Sequence, residues 1–178
     1  GGQDVQLQKG GGFDAVVGNP PYVRVQELPH KDIDYYKQVF YTAYKRIDIS
    51  ILFIEHGLNI LRSNGYSAYI SSVQFTSAEY GRKLRELLLK VEIKKFINFN
   101  DLPVFPDAST YPGILILSPN KSSQKFVYFD VQELPNQDYE SVILPTQKTI
   151  SYKYLSGDSW EMVDDSERQI LDKINDSQ

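Results

Sequence analysis

The stretch FDAVVGNPPYVRV, residues 13–25, joins a short apolar run to two consecutive prolines flanked by an amide and an aromatic ring. Phe13 to Val17 reads as a short buried strand of an α/β protein, bounded by Gly12 and Gly18. In open α/β sheets, ligands sit outside the carboxyl ends of the strands, and Asn19-Pro20-Pro21-Tyr22 follows directly after such an end. Proline holds itself and the residue before it in extended backbone, so Asn19 and Pro20 are both extended and no helix forms over the turn. The side-chain carbonyl of Asn19 and the backbone carbonyl of Pro20 then stand side by side as two acceptors, a receptacle for an –NH2 group. Tyr22 adds a flat apolar face.

Outward from this stretch, the pattern alternates. Lys31 to Tyr44 has loose helical spacing. Asp48 to Leu61 is a stronger helix, with apolar residues at 51, 54, 58 and 61 and a stop at Ser63-Asn64-Gly65. Tyr66 to Ser71 reads as a strand, and Thr76 to Leu89 as an amphipathic helix with a capping box from Thr76 to Glu79. Glu92 to Phe99 is the next strand, followed by the proline-marked loop DLPVFPDASTYP and a strand at Gly113 to Leu117. This order predicts a mostly parallel sheet with helices on its faces. With no helix between them, the last two strands are expected to form an antiparallel, hairpin-like edge. Further on, Lys125 to Val131 and Val142 to Leu144 read as strands, and Ser166 to Ile174 as the start of a helix.

Composition narrows the class. An apolar fraction of 41% over 178 residues suits one globular domain, or one domain and the beginning of another. No run of eighteen apolar residues occurs, so no membrane span is expected. The first residues, GGQDVQLQKGGG, lack the regions of a signal peptide, which points to the cytoplasm. There is no cysteine, and His30 and His56 are the only histidines, so no metal site is expected. The net charge of −4 speaks against a broadly basic nucleic-acid surface. Arg82, Lys83, Arg85, Lys90, Lys94 and Lys95 nevertheless crowd one stretch, which reads either as a solvated helix face or as a phosphate-contacting surface.

Taken in order, GNPPY (18–22), DISILFIEHGLNILRSNGYSAYI (48–70), TSAEYGRKLRELLL (76–89) and DLPVFPDASTYPGILIL (101–117) resemble the amino-methylating DNA adenine methyltransferases. The likeness is greatest to the catalytic domains of type IIG restriction–modification enzymes, and it covers roughly residues 11 to 118. It implies the C-terminal half of a Rossmann-like, S-adenosylmethionine-dependent methyltransferase sheet, mostly parallel with an antiparallel edge strand. It also implies duplex DNA as partner, with the target adenine flipped out of the stack. Asn19 and the Pro20 carbonyl would accept the two hydrogens of the exocyclic amine, and Tyr22 would stack on the base. Phe105 matches the position that packs on the other side of the adenine, with Tyr111 a weaker candidate. Asp48 and Phe53 lie in the motif that borders the donor's adenosine, while Glu55 and His56 read as structural.

The family's donor-binding glycine motif lies well upstream of NPPY, and only eighteen residues precede Asn19 here. The expectation is a partial catalytic domain over 1–155, whose partner is the N-terminal half of its own domain and which is inactive alone. Residues 156–178 are expected to begin a target-recognition domain or linker. A nuclease motif is not evident. Protein glutamine and RNA adenine methyltransferases also use NPPY, and a degenerate DNA-binding or assembly module would retain it too; these stay open as alternatives. A bacterial cytoplasmic setting goes with the resemblance.

Overall fold

The computed structural model describes residues 12–21, 30–105, 111–134 and 138–175. Among them, six strands form one sheet: β1 (Phe13–Gly18), β2 (Leu61–Ser72), β3 (Glu92–Asn98), β4 (Pro112–Ser118), β5 (Lys125–Asp130) and β6 (Gln147–Ser151), in the order β1-β2-β4-β3-β5-β6. The helices are α1 (His30–Val39), α2 (Ile49–Ile60), α3 (Arg82–Leu88), α4 (Tyr139–Ile143) and α5 (Asp165–Asn175). β1 runs parallel to β2 and β3 parallel to β5, while β4 is antiparallel to both β2 and β3. Hence β1, β2, β3 and β5 share one direction, and the mostly parallel sheet expected from the sequence is present. The antiparallel edge strand is β6, paired with β5.

The pair β3 and β4 is antiparallel, as expected, but it is not an edge. PGILILS carries apolar side chains on both faces and is largely buried, so β4 is inserted between β2 and β3. β6 escaped the sequence reading because QKTIS is polar and lies half outside the core. Val142 to Leu144, expected as a strand, is the end of α4 and the turn after it. Asp138 caps α4 by accepting the N–H groups of Glu140 (3.0 Å) and Ser141 (3.3 Å).

One face of the sheet carries the main core. Ile51, Ile54 and Leu58 of α2 and Leu84, Leu87 and Leu88 of α3 pack over Tyr69, Phe96, Leu115 and Leu117. Trp160 closes this core edge-on to Phe75 (6.5 Å), its backbone N–H donating to the Thr76 carbonyl (2.8 Å). A smaller cluster of Phe99, Phe129 and Val131 is a separate core, joined by Leu102, Val104 and Ile143.

The helix expected over Thr76 to Leu89 is shortened to α3, preceded by two 3-10 turns, Gln74–Thr76 and Glu79–Gly81. The buried guanidinium of Arg85 gathers the carbonyls of Phe75, Ala78 and Gly157, and the Ala78 carbonyl would be spent inside a continuous helix. The capping box does not form: the Thr76 hydroxyl donates to the Val73 carbonyl, and Glu79 pairs with Lys45.

β1 is a strand but not a buried one. It lies at the sheet edge, with Val16 and Gly18 toward α2 and Phe13, Ala15 and Val17 toward the other face. Phe13 is 62% and Val17 81% exposed, beside Tyr66 at 50%. Parallel strands are ordinarily covered on both faces, and here the second face is bare among the described residues. No described helix is long and apolar enough to cross a membrane.

Candidate active site

The parallel strands all end at one edge of the sheet, and the helices that run back start there. Asn19, Pro20 and Pro21 follow β1; Asp48 precedes α2; Gln74 follows β2; Asn98 ends β3 and residues 99–105 follow it; Tyr111 precedes the reversed strand β4. This is the edge where open α/β sheets bind ligands.

Asn19 is exposed and Pro20 is buried. The turn therefore has its proline ring packed down and its amide turned to solvent. Gly18 makes this approach possible: it pairs with Tyr69 across the parallel ladder, and a Cβ there would come within 2.7 Å of the Tyr69 ring. Tyr22 lies outside the described residues.

On the opposite side of the edge, Phe105 is half-buried. The backbone before it is tightly turned, with the Leu102 N–H donating to the Phe99 carbonyl (3.0 Å) and the Val104 N–H to the Leu102 carbonyl (2.8 Å). Tyr111 is 46% exposed, and its carbonyl accepts the Val73 N–H at the end of β2 (2.8 Å). The root of this loop is thus fastened at the β2 and β4 ends. Two strand spacings, about 10 Å, separate β4 from the end of β1.

Asp48 and Phe53 do not share one pocket. They are five residues apart, which turns them well over a quarter-circle from each other on α2. Asp48 is the helix N-cap, its carboxylate accepting the Ser50 N–H (2.9 Å) and hydroxyl (2.7 Å). It lines a polar cavity of about 100 Å³ with Arg46, Ile47, Gln74 and Tyr80. Phe53, 44% exposed, lines an apolar cavity of about 200 Å³ with Tyr36, Phe40, Ile49, Leu52 and His56. The first cavity suits polar atoms of a ligand, and the second an aromatic ring.

Glu55 is structural, as expected, whereas His56 lines the apolar cavity beside Phe53. Glu55 is buried and accepts the N–H groups of Tyr41 (3.0 Å) and Thr42 (2.8 Å) and the Thr42 hydroxyl (2.6 Å). His56 meets the Phe40 ring edge-on at 6.4 Å. The basic stretch is mostly spent internally. Arg85 is buried on backbone carbonyls, Arg82 and Lys83 pair with Glu86, Lys94 pairs with Glu92, and Lys90 lies over the Tyr41 ring (5.7 Å). Of the two readings left open for it, the geometry favours a paired helix face over a phosphate surface.

Residues 3–105, more than half of the chain, match the model of the Eco57I restriction-modification methylase family. The chain belongs to that family. A curated relative, the type II restriction enzyme and methyltransferase RM.Eco57I of Escherichia coli, is 33% identical over 155 residues, covering 83% of this chain and 15% of that protein. The type II methyltransferase M.PaeR7I of Pseudomonas aeruginosa is 38% identical over 110 residues, covering 61% of this chain and 19% of that protein. This chain thus spans less than a fifth of either relative.

Solved structures agree on the fold. The type IIG restriction endonuclease BpuSI superposes with a TM-score of 0.60 at 16% identity, over 79% of this chain and 19% of that one. The methyltransferase subunit of a type I restriction-modification system from Streptococcus thermophilus gives 0.59 at 19% identity, over 85% of this chain and 37% of that one. The Eco57I-family chain therefore carries the Rossmann-like sheet of the restriction-modification methyltransferases.

Two groups at the site edge of this Eco57I-family chain escaped the sequence reading. Arg46, Gln74 and Tyr80 line the cavity beside Asp48 without belonging to any recognisable spacing. Asn98 and Asn100, in the run INFN, knit the end of β3 to β5. Two asparagines bracketing an aromatic at a strand end were the available signal, since asparagine there bonds local backbone.

Proposed function

We propose that the protein containing this chain transfers the methyl group of S-adenosylmethionine to the exocyclic amine of an adenine flipped out of duplex DNA, as the modification half of a restriction–modification system. The observation that carries this reading is the exposed Asn19 beside a buried proline at the carboxyl end of β1, the same sheet edge at which the Phe105 loop leaves β3. The amine of adenine is a poor nucleophile because its lone pair is delocalised into the ring. Accepting its hydrogens at the Asn19 Oδ1 and the Pro20 carbonyl favours rehybridisation and aims the lone pair; this is catalysis by orientation, with no strong base required. Tyr22 and Phe105 would hold the two faces of the base, stacking of this kind being worth about 1–3 kcal/mol per base.

S-adenosylmethionine, when bound, supplies an electrophilic methyl on a sulfonium. The residues present fit its edge: Phe53 offers a ring and an apolar cavity to the adenine, and Asp48 a carboxylate to the polar part of the adenosine. Among the described residues the second face and outer edge of β1 are uncovered, with Phe13 and Val17 exposed, which supports a covering contribution from the N-terminal half of the same catalytic domain. On this reading residues 1–155 are part of that domain and 156–178 lead toward target recognition. The chain alone is inactive, and the setting is the bacterial cytoplasm.

The test supplies the whole protein with labelled donor and, separately, long unmethylated duplex DNA, RNA and protein acceptors, with Asn19→Ala alongside. Label on DNA adenine that falls at least a hundredfold in Asn19→Ala supports the reading. Label on a protein glutamine or on RNA keeps the amine chemistry and replaces the substrate. DNA binding with no label on any acceptor overturns the enzyme in favour of a binding module.

A further inference from the structure

Resting on the adenine-stacking role of Phe105, we propose that Asn100 is a positioning residue for transfer, acting by fixing the direction in which the chain leaves β3 toward that ring. Asn100 has a φ of 54°, in the left-handed region. Most L-residues are strained there, while asparagine tolerates it and glycine is free of the strain. The side chain then locks the turn. Its Oδ1 accepts from the Asn98 amide (3.0 Å), and its Nδ2 donates to Asp130 Oδ1 (3.0 Å) and the Val131 carbonyl (2.9 Å). The Asn100 N–H donates back to Asn98 Oδ1 (2.9 Å), so the two amides are reciprocal partners.

The lock is anchored well beyond β3. The Asn98 amide also donates to the Tyr128 hydroxyl (2.9 Å) on β5, and Asp130 is held in turn by Lys148 of β6 (2.9 Å). The Val131 N–H donates to the Asn98 carbonyl (2.9 Å). Four residues separate Asn100 from Phe105, and Leu102 and Val104 among them are packed against Phe99, Phe129 and Val131. The orientation of Asn100 is therefore passed along a short, tightly turned and anchored segment. A half-buried amide pair at the sheet edge contributes little to the main core, yet it sets the pose of one wall of the base pocket.

Asn100→Gly keeps the left-handed backbone and removes every side-chain bond, so it tests the lock without straining the turn. In the whole protein, with labelled donor and long unmethylated duplex DNA, the expected result is a kcat at least tenfold lower with the KM for the donor within twofold. In a Phe105→Ala background, the same substitution is expected to change kcat less than twofold, because two residues acting through one ring do not lose independently. A kcat within twofold of the parent for Asn100→Gly, losses that multiply in the double variant, or a silent Phe105→Ala would each overturn the proposal. Amide exchange over residues 101–105 reads the lock with no acceptor present: faster exchange in Asn100→Gly is expected, and unchanged exchange overturns it. If the label goes to RNA or protein instead, the DNA reading fails, and the coupling between Asn100 and Phe105 is measured on that acceptor by the same criteria.

Discussion

Gly18 and Tyr69 are partners across the β1–β2 ladder, and the tyrosine ring lies where a side chain at position 18 would be. The same ring is held from above by Gly57 of α2, where a Cβ would come 2.3 Å from the hydroxyl oxygen. One aromatic side chain is thus seated between two glycines, one on the strand that delivers Asn19 and one on the helix that begins at Asp48. The glycine of GNPPY is there for space: its backbone needs no left-handed angle.

Gly18→Ala is expected to destabilise the protein by about 1–3 kcal/mol, because the ring has no direction in which to yield. Tyr69→Leu should recover part of that loss in the double variant, since it vacates the contested volume. Urea unfolding of the two single variants and the double variant measures the coupling. Strictly additive losses would show that the glycine matters for some other reason.

Much of the fold was legible where one physical signal dominated. The three- and four-residue spacing of apolar side chains gave α2, and the apolar runs gave β2, β3, β4 and β5. What was not legible depended on neighbours distant in sequence. The bare face of β1 follows from its place at the sheet edge. The break between Phe75 and Arg82 follows from Arg85 collecting carbonyls that include Gly157, 72 residues away. At the site, the proline turn was readable because proline acts locally. The separation of Asp48 and Phe53 into two cavities followed from helical geometry, and the asparagine lock depended on strands that had not yet been paired.

Glu55→Ala is expected to cost about 2–4 kcal/mol. It leaves the N–H groups of Tyr41 and Thr42 and the Thr42 hydroxyl without their acceptor in a largely buried place, and each such orphan is expensive. Glu55→Gln keeps one acceptor oxygen and should lose less. Thermal melting of the pair separates the two, and equal losses would mean that the carboxylate does not organise the 41–42 segment.

Stability is expected to hold above the ordinary carboxylate range and to fall on acidification. Burial pushes the Glu92 carboxyl up, but the N–H groups of Ser122 and Ser123 and the Lys94 ammonium outweigh it and leave it low. Asp130 is likewise pushed up by burial and more strongly down by Asn100 and Lys148. Both favour the ionised form in the folded state. Their contribution is therefore complete above the unfolded value near pH 4 and is lost as pH falls through the lower folded values. Lys148→Met should raise the Asp130 titration, followed by carboxyl NMR, and shift acid unfolding to higher pH. At the alkaline end, burial pushes Tyr128 and Tyr152 up to about 12. Their contribution is complete below the ordinary value near 10 and is lost as pH rises toward 12.

Asp48 serves as helix cap and, on the proposed function, as a donor contact, and one substitution divides the roles. Asparagine caps helices about as well as aspartate, so Asp48→Asn should leave stability within about 0.5 kcal/mol, whereas Asp48→Ala should lose about 1 kcal/mol. If the carboxylate meets the adenosine, both variants raise the KM for S-adenosylmethionine about tenfold or more in the whole protein. Phe53→Ala should raise the same KM, because its ring lines the neighbouring apolar cavity and is 44% exposed, and kcat at saturating donor should stay within about threefold. An unchanged donor KM in Asp48→Asn, together with a stability loss confined to Asp48→Ala, would reduce Asp48 to a cap and move donor recognition to other residues.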